Sequence, residues 1–177
     1  STDYIVVNPS STVNNIFDDG GAISLWIYDT NGSGRIIEKE SIKLGTGYFY
    51  QKFSSSLAYW TFPMDLNKWN NVVISYNNSS TVNDPNVYIN GVKVSTTEGT
   101  APNGTRSDDS ATSLNIGRFW NGGFFFSGKL DEIRFYSEVI PTSQIKEQYY
   151  AGLNSLLVNG NITSKEYLSR INSVATK

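Results

Sequence analysis

The side chains that could do chemistry in this sequence are carboxylates and aromatic rings, because the chain contains no His and no Cys. Losing His removes the Ser-His-Asp triad, most zinc sites and the usual general base at neutral pH. Losing Cys removes thiol catalysis and disulfides. Asp131 and Glu132 are the nearest thing to a paired acid and nucleophile, but they are adjacent, and in a strand adjacent side chains point to opposite faces. That cannot serve a retaining glycosidase, whose two carboxyls face one sugar, so the expectation is a protein that is not an enzyme. In the same alternation Asp131 shares a face with Ile133 and Phe135. This predicts an inward carboxylate, which needs hydrogen-bond donors or a cation. Asp108-Asp109 lies in a polar stretch and reads as a solvated loop, with calcium as the alternative.

The second candidate is the run Phe119-Trp120-Asn121-Gly122-Gly123-Phe124-Phe125-Phe126. Alternation lets at most half of Phe124–Phe126 face one core, and Trp120 sits beside a Gly-rich turn. Phe119, Trp120, Asn121 and Phe125 are therefore the candidate ligand contacts, stacking on a sugar ring or filling a partner's groove. Packing between two sheets is the alternative. Trp26, Tyr28, Tyr48, Tyr50, Trp60 and Trp69 read instead as core or concave-face lining. Five Asn-x-Ser/Thr sequons, at Asn31, Asn77, Asn78, Asn103 and Asn161, matter only in a source that glycosylates its surface proteins.

Short alternating runs between turn signals must position these groups. In Ile23–Tyr28 the residues Ile23, Leu25 and Ile27 share one face, and in Trp69–Tyr76 so do Val72, Ile74 and Tyr76. Val87-Tyr88-Ile89-Asn90-Gly91-Val92-Lys93-Val94 predicts a hairpin with a type I′ turn, whose two central residues need positive φ. Further strands are expected at Tyr4–Val7, Gly47–Phe53, Leu57–Phe62, Leu114–Gly117 and Lys129–Tyr136, with a polar loop over Ser95–Thr112. After Pro141 the period changes. Ile145, Tyr149, Leu153 and Leu156 recur at helical spacing, with Thr142 or Ser143 as cap. Asn159-Gly160 ends that helix, and Thr163-Ser164-Lys165-Glu166 opens a second as a capping box.

The composition agrees with an all-β domain carrying a small helical hairpin. The 177 residues include 19 Asn, 23 Ser and 14 Thr, while charged residues are only 17%. Turn formers and hydroxyls thus replace charge, and aromatics reach 14%. The net charge of -2 argues against a nucleic-acid or anionic-membrane partner. No window approaches 18 apolar residues, so no membrane insertion is expected of this segment, and no signal peptide is visible. The expected division is 1–141 for the β domain and 142–177 for the helices.

Four segments in order resemble the laminin-G-like (concanavalin A-like) jelly-roll superfamily: DYIVVN at Asp3–Asn8, ISLWIYD at Ile23–Asp29, KWNNVVISYNN…VYINGVKV at Lys68–Val94, and LNIGRFW…FSGKLDEIRFYSEVIPTSQIKEQY at Leu114–Tyr149. The resemblance implies a two-sheet antiparallel jelly-roll sandwich with loops at the rim of its concave side. Jelly-roll glycoside hydrolases carry Glu-x-Asp-x-Glu, which is absent here. Several members hold a structural Ca²⁺, implying a metal site at Asp131 with Asp18 and Asp19. Members also begin with an extra strand, which would leave an edge beside Lys129–Tyr136 to be filled by an upstream segment, a neighbour's strand or the C-terminal hairpin. The tail Leu153–Ile171 is similar to a helical module at the ends of bacterial envelope proteins, packing on the domain or on another subunit. The implied function is a non-enzymatic extracellular module on a microbial surface that binds a glycan or a surface protein through rim loops, with self-association open. The alternative is a structural subunit of a surface appendage, pilin-like or filamentous, whose N-terminal anchor has been removed.

Overall fold

The computed structural model describes residues 3–175. In chain order the elements are β1 (Ile5–Val7), β2 (Gly21–Asp29), β3 (Arg35–Lys39), β4 (Ile42–Gly45), β5 (Tyr48–Lys52), β6 (Leu57–Thr61), β7 (Trp69–Tyr76), β8 (Asn86–Ile89), β9 (Val92–Val94), β10 (Thr97–Thr100), β11 (Leu114–Ile116), β12 (Gly128–Tyr136), α1 (Thr142–Val158) and α2 (Ser164–Ala175). They form two antiparallel sheets, one in the order β1-β11-β3-β4-β5-β6-β10 and one in the order β12-β2-β7-β8-β9. The jelly-roll sandwich and the C-terminal helices expected from the sequence are both present.

Alternation places the cores. Ile23, Leu25 and Ile27 of β2 and Val72, Ile74 and Tyr76 of β7 meet Ile37, Leu44, Phe49 and Trp60 of the facing sheet in one buried cluster. The opposite face of the five-stranded sheet is also covered. Trp26 packs with Tyr149, Leu153 and Leu156 of α1, while Ala22, Val73 and Tyr88 receive Ile140 and Ile145. The helical hairpin therefore lies on its own domain as a third layer. Among the described residues no helix covers the outer face of the seven-stranded sheet.

Local signals behave as their chemistry requires. Asn90 and Gly91 have φ of 55° and 76°, the two positive values of the tight hairpin turn. Gly160 ends α1 at φ 71°, and Thr163 Oγ1 accepts the Glu166 N–H at 3.2 Å to open α2. One cap differs from expectation. Pro141 occupies the N-cap of α1 with no side-chain hydrogen bond, because Thr142 is already helical and its hydroxyl lies 2.9 Å from the Tyr88 hydroxyl. Strands β3, β4 and β10 were not anticipated. A bulge between Arg35 and Ile37 breaks the period-2 signal of β3.

Among the described residues β12 pairs only with β2 and stands at the edge of its sheet. The helices cover a sheet face and do not fill this edge. The edge carries its own protection. The register shifts between Asp131 and Arg134, Glu132 takes φ 49°, and Asp131 Oδ1 accepts the Glu132 N–H at 2.8 Å. This bulge with its charged residues makes a poor template for another strand.

The hairpin tip also carries tertiary load. A Cβ on Gly91 would lie 3.0 Å from Tyr149 Cδ1, so the turn seats beneath α1. Gly91→Val is expected to lower unfolding free energy by about 1–2 kcal/mol, from the left-handed backbone alone. Denaturant melts of the two proteins check this, and equal midpoints would show that the turn tolerates a side chain.

Candidate functional site

The uncovered sheet face presents one row of directly opposed residues crossing six strands: Val6, Asn115, Glu38, Lys43, Tyr50 and Tyr59. Directly opposed residues share a face, so this row is a continuous strip. At one end lie tyrosines. Tyr50 and Tyr59 stack with centroids 5.2 Å apart, and Tyr48 meets Tyr50 edge-on at 5.3 Å. The Tyr48 ring lies across Gly45 and the Tyr59 ring across Gly99, where an added Cβ would collide. The rings are thereby laid along the sheet.

In the middle sits Glu38, nearly fully buried. Its carboxylate pairs with Arg35 Nε at 2.7 Å and Lys43 Nζ at 3.4 Å. Burial pushes its carboxyl above 4.5, against the pull of Arg35 and then Lys43. The two cations in turn carry Phe119, since Arg35 and Lys43 lie 5.6 Å and 5.8 Å from its ring centre. Phe119 anchors the rim loop that follows it.

That loop closes on itself. The Gly122 N–H donates to the Phe119 carbonyl, the Phe119 N–H to the Gly123 carbonyl, and the Gly123 N–H to Asn121 Oδ1. Trp120 is the outward residue of this loop, 65% exposed. It overhangs a cleft of about 430 Å³ lined also by Val6, Glu38, Glu40, Asn115 and Arg118.

Of the sequence candidates, Trp120 therefore lines a cleft, Phe119 supports it and Asn121 shapes its turn. Phe125 is displaced from the cleft and packs on Tyr4, with centroids 6.4 Å apart. The exposed phenylalanine of the run is Phe124. Tyr48 and Tyr50 line the outer sheet face, whereas Trp26 and Trp60 are buried. Glu38, Glu40, Asn115 and Arg118 were not singled out, because only the register of β11 against β3 makes them neighbours. Glu38 and Glu40 stand two apart in sequence, a signal that was available.

The expected metal set does not come together. Asp131 is exposed, because the bulge at Glu132 inserts a residue and gives Leu130 and Ile133 the inward positions. Asp131 stands opposite Trp26, five residues from Gly21 along β2, a separation of about 16 Å at strand rise. Asp18 lies beyond that end, beside Asn78, and its carboxylate is paired with Arg106. One Ca²⁺ holds its ligands within about 2.6 Å, so Asp131, Asp18 and Asp19 do not fit a shared ion. Among the described residues no group of three acidic side chains is gathered for a metal.

The buried carboxylates are elsewhere. Asp29 accepts the N–H groups of Asn31 and Gly32, both at 3.0 Å. Asp109, expected in a solvated loop, is buried with Lys39 Nζ at 3.2 Å and Arg106 Nη2 at 3.2 Å. Lys39 also donates to the Asp109 and Thr112 carbonyls. Tethered cations thus hold the loop that follows β10.

Two measurements follow from this cluster. Lys39→Met should cost about 2 kcal/mol, because Asp109 is left with Arg106 as its cation and the Asp109 and Thr112 carbonyls lose their donor. The melting temperature should be the same in EDTA and in millimolar calcium, and a rise with calcium would show that another donor set binds the ion.

The comparisons with known proteins concern mainly the fold. The sequence model of a laminin G family, described as the concanavalin A-like lectin/glucanases superfamily, matches residues 3–146. Among solved structures, the binding domain of Paraclostridial Mosquitocidal Protein 1 superposes with a TM-score of 0.60 at 15% identity, covering 85% of this chain and 41% of that one. A protein of Bacteroides ovatus provisionally named a carbohydrate binding protein gives 0.54 at 20% identity, covering 81% and 44%. Botulinum neurotoxin type C, which depends on interaction with two ganglioside molecules to enter cells, gives 0.58 at 14% identity, covering 84% and 39%. The chain spans about two fifths of the length of these structures. No curated protein matches the chain.

Proposed function

The chain belongs to the concanavalin A-like lectin/glucanases superfamily, and from that premise we propose that it is a non-enzymatic carbohydrate-binding module. Its site is the cleft beneath Trp120 and the tyrosine strip beside it. The observation that carries this reading is the exposed Trp120 lining, together with Arg118, a cleft on the sheet face that the helices leave free. An indole offers a flat apolar face to the C–H face of a pyranose, while the Arg118 guanidinium offers directional hydrogen-bond donors. The tyrosine strip adds apolar area at low entropic cost, since each ring is already supported by its neighbour.

The reading fits the names of the structural neighbours, which include the binding domain of a mosquitocidal protein and a botulinum neurotoxin whose cell entry depends on gangliosides. In this proposal the module works outside the cell, against a glycan-bearing surface. Among the described residues no helix is long and apolar enough to cross a membrane. Calcium plays no part in the proposed site.

Hydrolysis is disfavoured by the state of the carboxylates. Glu38 is held by Arg35 and Lys43, and Glu40 by Lys52, so neither is free to act as acid or nucleophile in the cleft. The expected result with a panel of oligosaccharides is no release of reducing ends. Release that disappears in the Glu38→Gln variant would overturn the non-enzymatic reading.

Trp120→Ala should weaken binding to array-identified glycans at least tenfold, about 1.4 kcal/mol, with an unchanged melting temperature. Undiminished binding would move the site away from this cleft. A protein ligand or neighbouring subunit is the second reading, favoured by Tyr4, Ile5 and Val6, which are exposed together at the β1 edge. A single monomer peak by light scattering at high concentration would count against self-association there.

A further inference from the structure

Arg118 brings to the Trp120 cleft terminal N–H donors that no hydrogen bond or ion pair among the described residues occupies. Its Nε donates to Asn115 Oδ1 at 3.2 Å, and its guanidinium lies 3.6 Å from the centre of the Tyr4 ring. These two contacts fix the position of the group. The hydrogen bond uses one donor, and among the described residues the side chain pairs with no carboxylate. The terminal nitrogens, with four N–H donors, remain for a ligand.

The charges around it point the same way. Glu38 is shared by Arg35 and Lys43, Glu40 is matched by Lys52, and the buried Lys39 is matched by Asp109. Cations around the cleft therefore outnumber carboxylates, although the whole chain carries -2. The surplus is local to the uncovered sheet face. An anion entering the cleft meets a guanidinium held by Asn115 and Tyr4 in a lining that also includes the Trp120 indole.

We propose that the cleft selects an acidic glycan, with a sugar carboxylate taken by Arg118 in a two-pronged contact and the pyranose ring placed against Trp120. The proposal rests on the carbohydrate-binding reading above and names the ligand class for that site. A planar guanidinium matches a carboxylate with two parallel N–H···O bonds, which Lys cannot reproduce. Contact of the Arg118 guanidinium with the Tyr4 ring leaves its fork preorganised, so little side-chain freedom is lost on binding. The neighbouring strip of Lys43, Tyr50 and Tyr59 runs on from Glu38 across the strands, a path for further sugar units of the same chain.

The test is calorimetric titration with matched pairs: oligogalacturonate against its methyl ester, and sialyllactose against lactose. The expected result is that at least one acid binds ten times or more tightly than its neutral counterpart, and that 0.5 M NaCl removes most of the difference. Arg118→Gln should abolish the preference, bringing the acid and its neutral partner to the same affinity. Arg118→Lys should restore only part of it. Trp120→Ala should weaken both members of the pair. Near-ultraviolet circular dichroism and melting temperature confirm that each variant is folded. Equal binding of acid and neutral sugars by the wild type would overturn the acidic preference and leave the carbohydrate reading standing. No binding to any member, together with a blank glycan array, would overturn both.

Discussion

The contact between Trp26 and helix α1 is what the rest of the architecture depends on. β2 is buried along almost its whole length, because alternate residues serve two different cores. Ile23, Leu25 and Ile27 face the other sheet, while Trp26 faces the helices, stacked on Tyr149 with centroids 5.7 Å apart and planes 19° from parallel. The close approach requires Gly152, where any Cβ would collide with the indole nitrogen. Burial raises the Tyr149 phenol to about 12, in keeping with a ring that has left water for this layer. With α1 and α2 covering the five-stranded sheet, the broad face left to solvent is that of the seven-stranded sheet. The location of the proposed site is thus a consequence of which sheet the helices cover.

Two neighbouring residues of β3 then do opposite work. Glu38 points outward into the Arg35–Lys43 pair that supports Phe119, and Lys39 points inward to Asp109. Strand alternation alone separates these roles. A buried ion pair is weak as a net source of stability but expensive to break, so each pair acts mainly as a constraint on geometry. One fixes the loop that precedes β11, and the other fixes the loop that follows it. Arg118 is displayed from between these two fixed points and Trp120 from just beyond the second.

What could be read from the sequence was local. The Asn90-Gly91 turn, the Gly160 stop and the Thr163 cap depend on residues within four positions of one another, and each stands where its chemistry placed it. Trp120 was legible for a related reason: an aromatic flanked by Asn-Gly-Gly is a poor core residue wherever it occurs. Asp131 was misplaced because one residue in the left-handed region at Glu132 reverses the parity of everything beyond it, and period-2 reasoning has no memory of a bulge. Asp109 was misplaced because its cation, Lys39, is 70 residues away. The strip of Asn115, Glu38, Lys43, Tyr50 and Tyr59 lay beyond reach for the same reason, being a product of strand order rather than of spacing.

Net charge illustrates how far a whole-chain quantity stands from the chemistry of a site. A value of -2 speaks to solubility and to long-range attraction, both of which average over the surface. Recognition of a small ligand is decided within about a Debye length, near 8 Å at physiological salt, and inside that radius the identity of each neutralised pair matters more than the total. Here Glu38, Glu40 and Asp109 are each committed to a cation of the protein's own. Commitment of the carboxylates leaves the uncommitted guanidinium of Arg118, held between Asn115 and Tyr4, to set the sign of the field that a ligand meets.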